Sequence, residues 1–177
     1  QRLYARLNRA FPRYPNPRDF YDMKRRPLSM LLAPLALLAC TQAAAATVID
    51  VTKTPWCGCC SEWVERMEAA GFTVTTRDVD NLDPIARAAG VPDTLRSCHT
   101  AEVEGYTIEG HVPAAEIRRL LASRPDAVGL SVPGMVAGSP GMEVPGRSDP
   151  YMVVLIGRDG KHRVWARYEG DAPAHRH

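Results

Sequence analysis

Three of the five cysteines fall within four residues, at the point where the sequence pattern changes from strand to helix. Residues 47–51 are rich in β-branched side chains, which predicts a buried strand. A helical pattern then runs over 57–70. Free backbone N–H groups and the helix dipole at such a junction stabilise a thiolate and lower its pKa. The cluster of Cys57, Cys59 and Cys60 is therefore predicted to be chemically active.

The periodicity of the remaining sequence predicts an α/β fold with the thioredoxin-like order β-α-β-α-β-β-α. The predicted elements that follow the first helix are a strand over 72–79, a short helix over 83–90, strands over 98–103 and 106–111, and a helix that Pro113 opens. Asp83 is the predicted N-cap of the second helix, because Pro84 follows it. Residues 124–150 are rich in glycine and proline and are expected to form an irregular loop. A C-terminal β-hairpin over 151–157 and 162–168 completes the predicted fold.

Residues 23–46 have the pattern of a secretory signal peptide, with a basic start, a short apolar run and small residues before a cleavage site at its end. Residues 1–22 are rich in arginine and proline, and we predict that they are an upstream extension outside the native protein. The stretch that ends at Cys40 also resembles a lipobox, so a lipoprotein anchored at Cys40 is the alternative to a released periplasmic protein. Residues 171–177 are expected to be a disordered tail, which leaves 47–170 as the metal-binding domain.

The charge balance of the chain depends on this leader. The full sequence carries 22 basic and 20 acidic residues, a formal net charge of +2. Residues 47–177 keep 14 of the basic and 18 of the acidic residues, which gives a formal net charge of −4. A mildly acidic domain has no electrostatic footprint for nucleic acid, so no nucleic-acid partner is expected. No second apolar run is long enough to predict a membrane span.

The spacing of the cysteines favours metal binding. Cys57 and Cys60 have the Cys-x-x-Cys spacing of a redox pair, and Cys59 is surplus to that pair. Cys98 is the natural fourth sulfur, because the segment before the third strand of a thioredoxin-like fold packs beside the start of the first helix. Pro92 marks that segment and is a candidate for a cis peptide bond. Converging thiolates suit Cu(I), with Zn(II) as the rival, and a bridging sulfur allows more than one copper ion.

Other soft side chains are further candidates for the same site. Met135 and Met142 lie in two Pro-Gly-Met turns of the irregular loop, where a core role is not expected, and thioether sulfur favours Cu(I). His99 follows Cys98 and is a candidate ligand, whereas His111 is interpreted first as a structural histidine and second as a ligand. Two alternatives to a metal site stay open: a pair of structural disulfides, and a site for redox chemistry alone.

Five stretches of the sequence form a more specific pattern. They are residues 53–60, 90–92, 95–101, 105–113 and the loop sequence PGMVAGSPGM. Together they resemble a family of exported bacterial proteins, long described only as a domain of unknown function, that includes the copper-resistance protein CopG. The resemblance implies a periplasmic, thioredoxin-like protein with a role in copper tolerance. It also implies that Cys57, Cys59, Cys60 and Cys98 bind the metal.

Two hypotheses of different classes follow. In the first, the protein binds Cu(I), as a sink or as a carrier to a copper efflux or delivery protein. In the second, it is an enzyme, a thiol–disulfide oxidoreductase in which Cys57 attacks and Cys60 resolves the mixed disulfide. The surplus Cys59, together with Cys98, favours the first hypothesis. A disulfide cannot act as a thiolate ligand, so we expect tight copper binding only by the reduced protein.

Overall fold

The computed structural model describes residues 46–170, which form one seven-stranded mixed sheet with three α-helices. The strands are β1 (Val48–Lys53), β2 (Thr73–Asp78), β3 (His99–Val103), β4 (Tyr106–Glu109), β5 (Ala127–Ser131), β6 (Tyr151–Gly157) and β7 (His162–Tyr168). The helices are α1 (Gly58–Ala69), α2 (Asp83–Ala88) and α3 (Ala114–Ser123), and a 3₁₀ turn spans Asp93–Leu95. The predictions of an upstream extension, a signal peptide, a lipidated Cys40 and a disordered tail lie outside the described residues.

The sheet has the strand order β2-β1-β3-β4-β5-β6-β7. The pairs β1–β2 and β4–β5 are parallel, and the other four neighbouring pairs are antiparallel. Up to the end of α3, the elements follow the predicted order β-α-β-α-β-β-α. The C-terminal hairpin of β6 and β7 has the predicted bounds. None of the helices in the described part of the chain is long and apolar enough to cross a membrane.

The strand β5 corrects the prediction of an irregular loop over 124–150. Its sequence, AVGLS, lies between β4 and β6 and is almost wholly buried, so it lacks the alternation of a half-exposed strand. Gly129 sits in its centre, where a Cβ atom would lie 1.7 Å from the carbonyl oxygen of Thr107 in β4. Glycine is therefore part of the strand pairing here, although in the sequence it suggested a loop.

Three local predictions at element ends are also wrong. Asp83 is the first residue of α2 and not its N-cap; Leu82 holds the cap position, and the Asp83 backbone N–H donates to the side chain of Asn81 at 2.9 Å. No peptide bond among the described residues is cis, so the bond before Pro92 is trans. The Pro92 carbonyl instead accepts the Leu95 N–H at 2.9 Å and so begins the 3₁₀ turn. The fourth strand ends at Glu109, which leaves His111 in the segment after it.

The main core lies between the sheet and the helices α1 and α3. Trp63 and Met67 of α1 are buried against it, and the Trp63 indole N–H donates to the Val112 carbonyl at 2.9 Å. A smaller cluster joins α2 to Ile156 of β6. Met152 of β6 is 42% exposed, because its strand face lies opposite the one that packs on the main core.

We expect Gly129→Ala to lower the free energy of unfolding by about 1–3 kcal/mol or more, because the added methyl forces β4 and β5 apart. Gly58→Ala is the matched control, since a Cβ there meets nothing within 4 Å and alanine favours a helix. Urea denaturation of both variants measures the difference. Equal unfolding free energies would contradict the close approach of the two strands at Gly129.

Candidate metal centre

The cysteine triplet lies at the start of α1, as its sequence pattern predicts. Cys57 occupies the N-cap position with an extended backbone, and its N–H donates to the Thr54 carbonyl at 3.2 Å. Cys59 and Cys60 lie in the first turn of the helix. Cys60 is fully buried, whereas Cys57 and Cys59 are half-buried. The triplet thus reaches from the protein interior to the solvent.

The pairing of β1 with β3 brings Cys98 to this triplet. Lys53, the last residue of β1, lies opposite His99, the first residue of β3. The chain leaves β1 towards Cys57 and enters β3 from Cys98, so the two cysteine segments meet at one edge of this strand pair. The sequence prediction that Cys98 approaches the triplet rested on the same strand order.

The four sulfur atoms form one compact cluster, with every pair within 4.8 Å. Cys57 and Cys60 are joined in a disulfide, and Cys59 and Cys98 are free thiols. The Cys59 Sγ atom lies 3.5 Å from the Cys57 Sγ atom and 4.0 Å from the Cys98 Sγ atom. The Cys60 sulfur contacts the Cys98 carbonyl oxygen at 3.4 Å. Reduction of the one disulfide would therefore leave four thiols within reach of one soft cation.

A second group of potential ligands shares Cys98 with the first. One donor atom each of Cys98, His99 and His111 lies within 4.8 Å of the others. The Cys98 Sγ atom lies 3.0 Å from His111 Nε2 and 3.5 Å from His99 Nδ1. Both histidines are fully buried. The structure thus places both histidine candidates beside the cysteine cluster, although His111 was first interpreted as structural.

The tautomer of His111 is set by a backbone carbonyl. His111 Nδ1 lies 2.8 Å from the Pro140 carbonyl oxygen, which can only accept, so Nδ1 carries the proton. In the neutral ring, Nε2 then has a free lone pair, and this atom faces the Cys98 sulfur. A backbone carbonyl that fixes one ring nitrogen while the other is free to ligate is a common arrangement around metal-binding histidines.

Burial favours the uncharged forms of Cys98 and of the two histidines in the metal-free centre. It lowers the pKa of His99 to about 3, with a further contribution from nearby His111, and it also lowers the pKa of His111. Burial and, to a smaller extent, the neighbouring Cys59 together raise the pKa of the Cys98 thiol to about 12. The imidazoles are therefore neutral and able to ligate at neutral pH, whereas Cys98 gives up its proton only when a cation takes its place.

A buried aromatic side chain supports the histidines. The Trp63 ring packs against the His99 ring with centroids 4.5 Å apart, and the His99 and His111 rings meet edge to face at 5.2 Å. The Nε2 atom of His99 is buried with no hydrogen-bond partner in the described part of the chain. The packing against Trp63 therefore fixes the ring plane of His99 next to Cys98.

Glu109 is a site residue that the sequence analysis missed. It is 1% exposed, and its carboxylate accepts the Ser97 backbone N–H and the Thr100 hydroxyl, both at 2.7 Å. Burial raises the pKa of Glu109, while these two hydrogen bonds act in the opposite direction. Glu109 therefore holds the chain on both sides of Cys98. The only signal in the sequence was an acidic residue within the predicted strand over 106–111.

The two Pro-Gly-Met turns pack against the two segments that carry the cysteines. In the first turn, the Gly134 N–H donates to the Arg96 carbonyl at 2.9 Å, and the Ser97 hydroxyl donates to the Gly134 carbonyl. The second turn packs on α1, where a Cβ at Gly141 would lie 3.0 Å from the Cys59 carbonyl oxygen. Met135 is 56% exposed and Met142 is half-buried. Metal ligation by the two methionines stays a prediction.

The fold and this centre define a mixed α/β protein with a cysteine–histidine cluster suited to a soft metal ion. Residues 95–142, which include Cys98, both buried histidines and both methionine turns, match the family model described as "Protein of unknown function, DUF411". Two solved structures of a copper resistance protein CopG, termed form 1 and form 2, are each 45% identical to the chain, with a TM-score of 0.67.

The match to form 2 spans 70% of this chain and 98% of the form 2 chain. The match to form 1 spans 71% of this chain and 99% of the form 1 chain. The chain therefore belongs to the family of the copper resistance protein CopG, as the sequence resemblance predicted. A comparison with curated proteins found no match.

We expect the metal-free protein to lose stability as the pH falls from 7.5 to 5, in part because of His99. With a pKa of about 3, the folded side chain stays neutral over this range, whereas the unfolded side chain takes up a proton near pH 6.5. Because the unfolded state binds more protons, His99 alone should cost about 2 kcal/mol at pH 5.

Urea denaturation at both pH values, with His99→Phe as the matched variant, isolates this contribution. Phenylalanine keeps an aromatic ring against Trp63 and has no proton to bind. The loss of stability on acidification should be smaller in the variant. An equal loss in both proteins would show that His99 titrates in the folded state as it does in the unfolded one.

Proposed function

We propose that this protein is a periplasmic copper(I)-binding protein that contributes to copper tolerance or copper handling. The observation that carries the proposal is the cluster of four cysteine sulfurs, all within 4.8 Å of one another. The two similar solved structures are those of a copper resistance protein. Copper is here the cargo that the cluster would hold.

The donor set supports Cu(I) over harder cations. The two clusters contain thiol sulfur and neutral imidazole nitrogen and no carboxylate oxygen. Thiolate selects Cu(I), zinc and iron–sulfur clusters, whereas magnesium, calcium and manganese prefer oxygen. Because Cys98 belongs to both clusters, its sulfur is placed to bridge two ions, which supports the binding of more than one Cu(I). Zinc, which also accepts sulfur and imidazole ligands, is the rival metal.

We also propose that the fold is thioredoxin-like and that the protein is exported. The strand order β2-β1-β3-β4, with α1 between β1 and β2 and α3 after β4, supports the first proposal. The signal pattern in residues 23–46 supports the second, with a lipid anchor at Cys40 as the alternative. A copper efflux or delivery protein is the proposed partner, because an exported copper carrier needs an acceptor.

The disulfide gives a specific reason to keep the enzyme hypothesis as a second candidate. Cys57 and Cys60 form this bond at the N-terminus of α1, with Cys57 partly accessible. A helix N-terminus stabilises the thiolate that such a bond releases on attack. A thiol–disulfide oxidoreductase would use only this pair. Cys59 therefore separates the two functions, because copper binding uses it and dithiol exchange does not.

We expect Cys59→Ser to weaken Cu(I) binding by the reduced domain at least about tenfold, which corresponds to about 1.4 kcal/mol, because one of four soft ligands is lost. The same variant should keep any disulfide-reductase activity, since Cys57 and Cys60 are unchanged. Anaerobic Cu(I) titration against a chelator, and reduction of insulin disulfides, measure the two properties.

Cys57→Ser is the control for this experiment, because it should impair both copper binding and disulfide exchange. If Cys59→Ser abolishes insulin reduction and leaves copper affinity unchanged, the oxidoreductase hypothesis replaces the metal-binding one. Failure of the reduced wild-type domain to bind Cu(I) at all would also refute the proposal.

We expect the double substitution Met135→Leu and Met142→Leu to speed the release of copper to a chelator about tenfold. Leucine keeps the size and apolar character of methionine and removes its soft, uncharged sulfur donor. Melting of the metal-free protein should change little, because Met135 is exposed and Met142 is half-buried. Stopped-flow transfer to the chelator measures the rate. Unchanged kinetics would assign the methionines a structural role.

A further inference from the structure

We propose that the disulfide-bonded form of this protein keeps a copper(I) site of its own, formed by the free thiols of Cys59 and Cys98. This inference rests on the proposed function and adds a second state to it. From the sequence alone, oxidation was expected to remove tight copper binding altogether. The structure instead leaves two of the four sulfurs unoxidised and adjacent.

The two free thiols are close enough to share one ion. Their Sγ atoms are 4.0 Å apart, and both lie in the same cluster as the disulfide. Two metal–thiolate bonds of about 2.3 Å each, the length of a zinc–thiolate bond, together exceed that separation. A single soft cation therefore fits between Cys59 and Cys98 without movement of either backbone segment. Both residues are half-buried, so the ion has access from solvent.

The surroundings hold these two sulfurs in place. Cys59 lies in the first turn of α1, whose start is closed by the Cys57–Cys60 disulfide. Cys98 lies between the two hydrogen bonds that Glu109 accepts from the neighbouring residues. The disulfide thus removes two ligands and at the same time braces the helix turn that carries the third. A preorganised pair of ligands loses less conformational freedom on binding.

His111 supplies a neutral donor next to the same ion. Its Nε2 atom lies 3.0 Å from the Cys98 sulfur, and the Pro140 carbonyl keeps the proton on the other ring nitrogen. Because Cys98 also belongs to the group of Cys98, His99 and His111, an ion bound to its sulfur would have these imidazoles nearby. Imidazole adds a ligand without adding charge, which suits a buried position.

The binding step needs no oxidant or reductant. One Cu(I) ion displaces one proton from each of the two thiols, two copper–sulfur bonds form, and two protons pass to the solvent. The Cys57–Cys60 bond stays intact and the copper keeps its oxidation state. Reduction of the disulfide adds two further thiols to the same cluster. The redox state of the pair would therefore set how much copper the protein holds, while Cys59 and Cys98 would hold copper in both states.

The test compares copper retention by the oxidised domain and its variants. The oxidised wild-type protein, with the disulfide confirmed by intact mass, is mixed anaerobically with Cu(I) alone, desalted in the presence of a competing chelator and analysed for metal. We expect one Cu(I) per chain, and more than one in the reduced protein. Oxidised Cys59→Ser should retain at least about tenfold less at the same chelator concentration.

The double variant Cys57→Ser and Cys60→Ser is the matched control, because it keeps Cys59 and Cys98 and cannot form the disulfide. It should also retain one Cu(I), and sulfur X-ray absorption should show two thiolate bonds in both proteins. Retention by the reduced wild type but not by the oxidised protein would overturn this inference and leave the proposed function intact. Equal retention by oxidised wild type and Cys59→Ser would also overturn it. Retention by neither redox state would refute the proposed function.

Discussion

The antiparallel pairing of β1 with β3 is the interaction on which the centre depends. It sets Lys53 opposite His99, and so brings together a cysteine triplet and a fourth cysteine that lies 38 residues beyond Cys60 in the sequence. A register slip of one residue would turn His99 to the other face of the sheet and away from Trp63. The strands β2 and β4 flank this pair, so the ladder that positions the sulfurs is held from both sides.

Local patterns predicted most of the fold, and packing between distant segments explains what they missed. The start of α1 and the bounds of the C-terminal hairpin follow from signals within a few residues. Strand β5 does not, because burial on both faces removes its alternation and Gly129 is required by contact with Thr107 in another strand. The exposure of Met152 could not be predicted for a similar reason, since an apolar residue in a strand does not reveal which face is covered.

The residues of the site show the same difference between local signals and contacts with distant segments. The spacing of Cys57, Cys59 and Cys60 predicted a cluster with a surplus thiol, because that chemistry depends on neighbours in one helical turn. The role of His111 could not be predicted, because it depends on a carbonyl 29 residues away that fixes its tautomer. Glu109 was missed because a buried carboxylate is favourable only when donors meet it, and its donors come from the segment around Cys98.

Burial of Cys98 has opposite effects on the empty and the occupied centre. It raises the pKa of the thiol to about 12, so a free thiolate is unfavourable there. A bound cation offsets the negative charge of the thiolate. The free-energy cost of burying the thiolate is therefore smaller in the occupied centre than in the empty one. When the ion leaves, either a proton must return to the Cys98 sulfur or another soft ligand must take the metal from it. Transfer out of such a centre therefore favours direct ligand exchange with a partner that offers thiol or thioether sulfur, which is the chemistry we expect of a copper efflux or delivery protein.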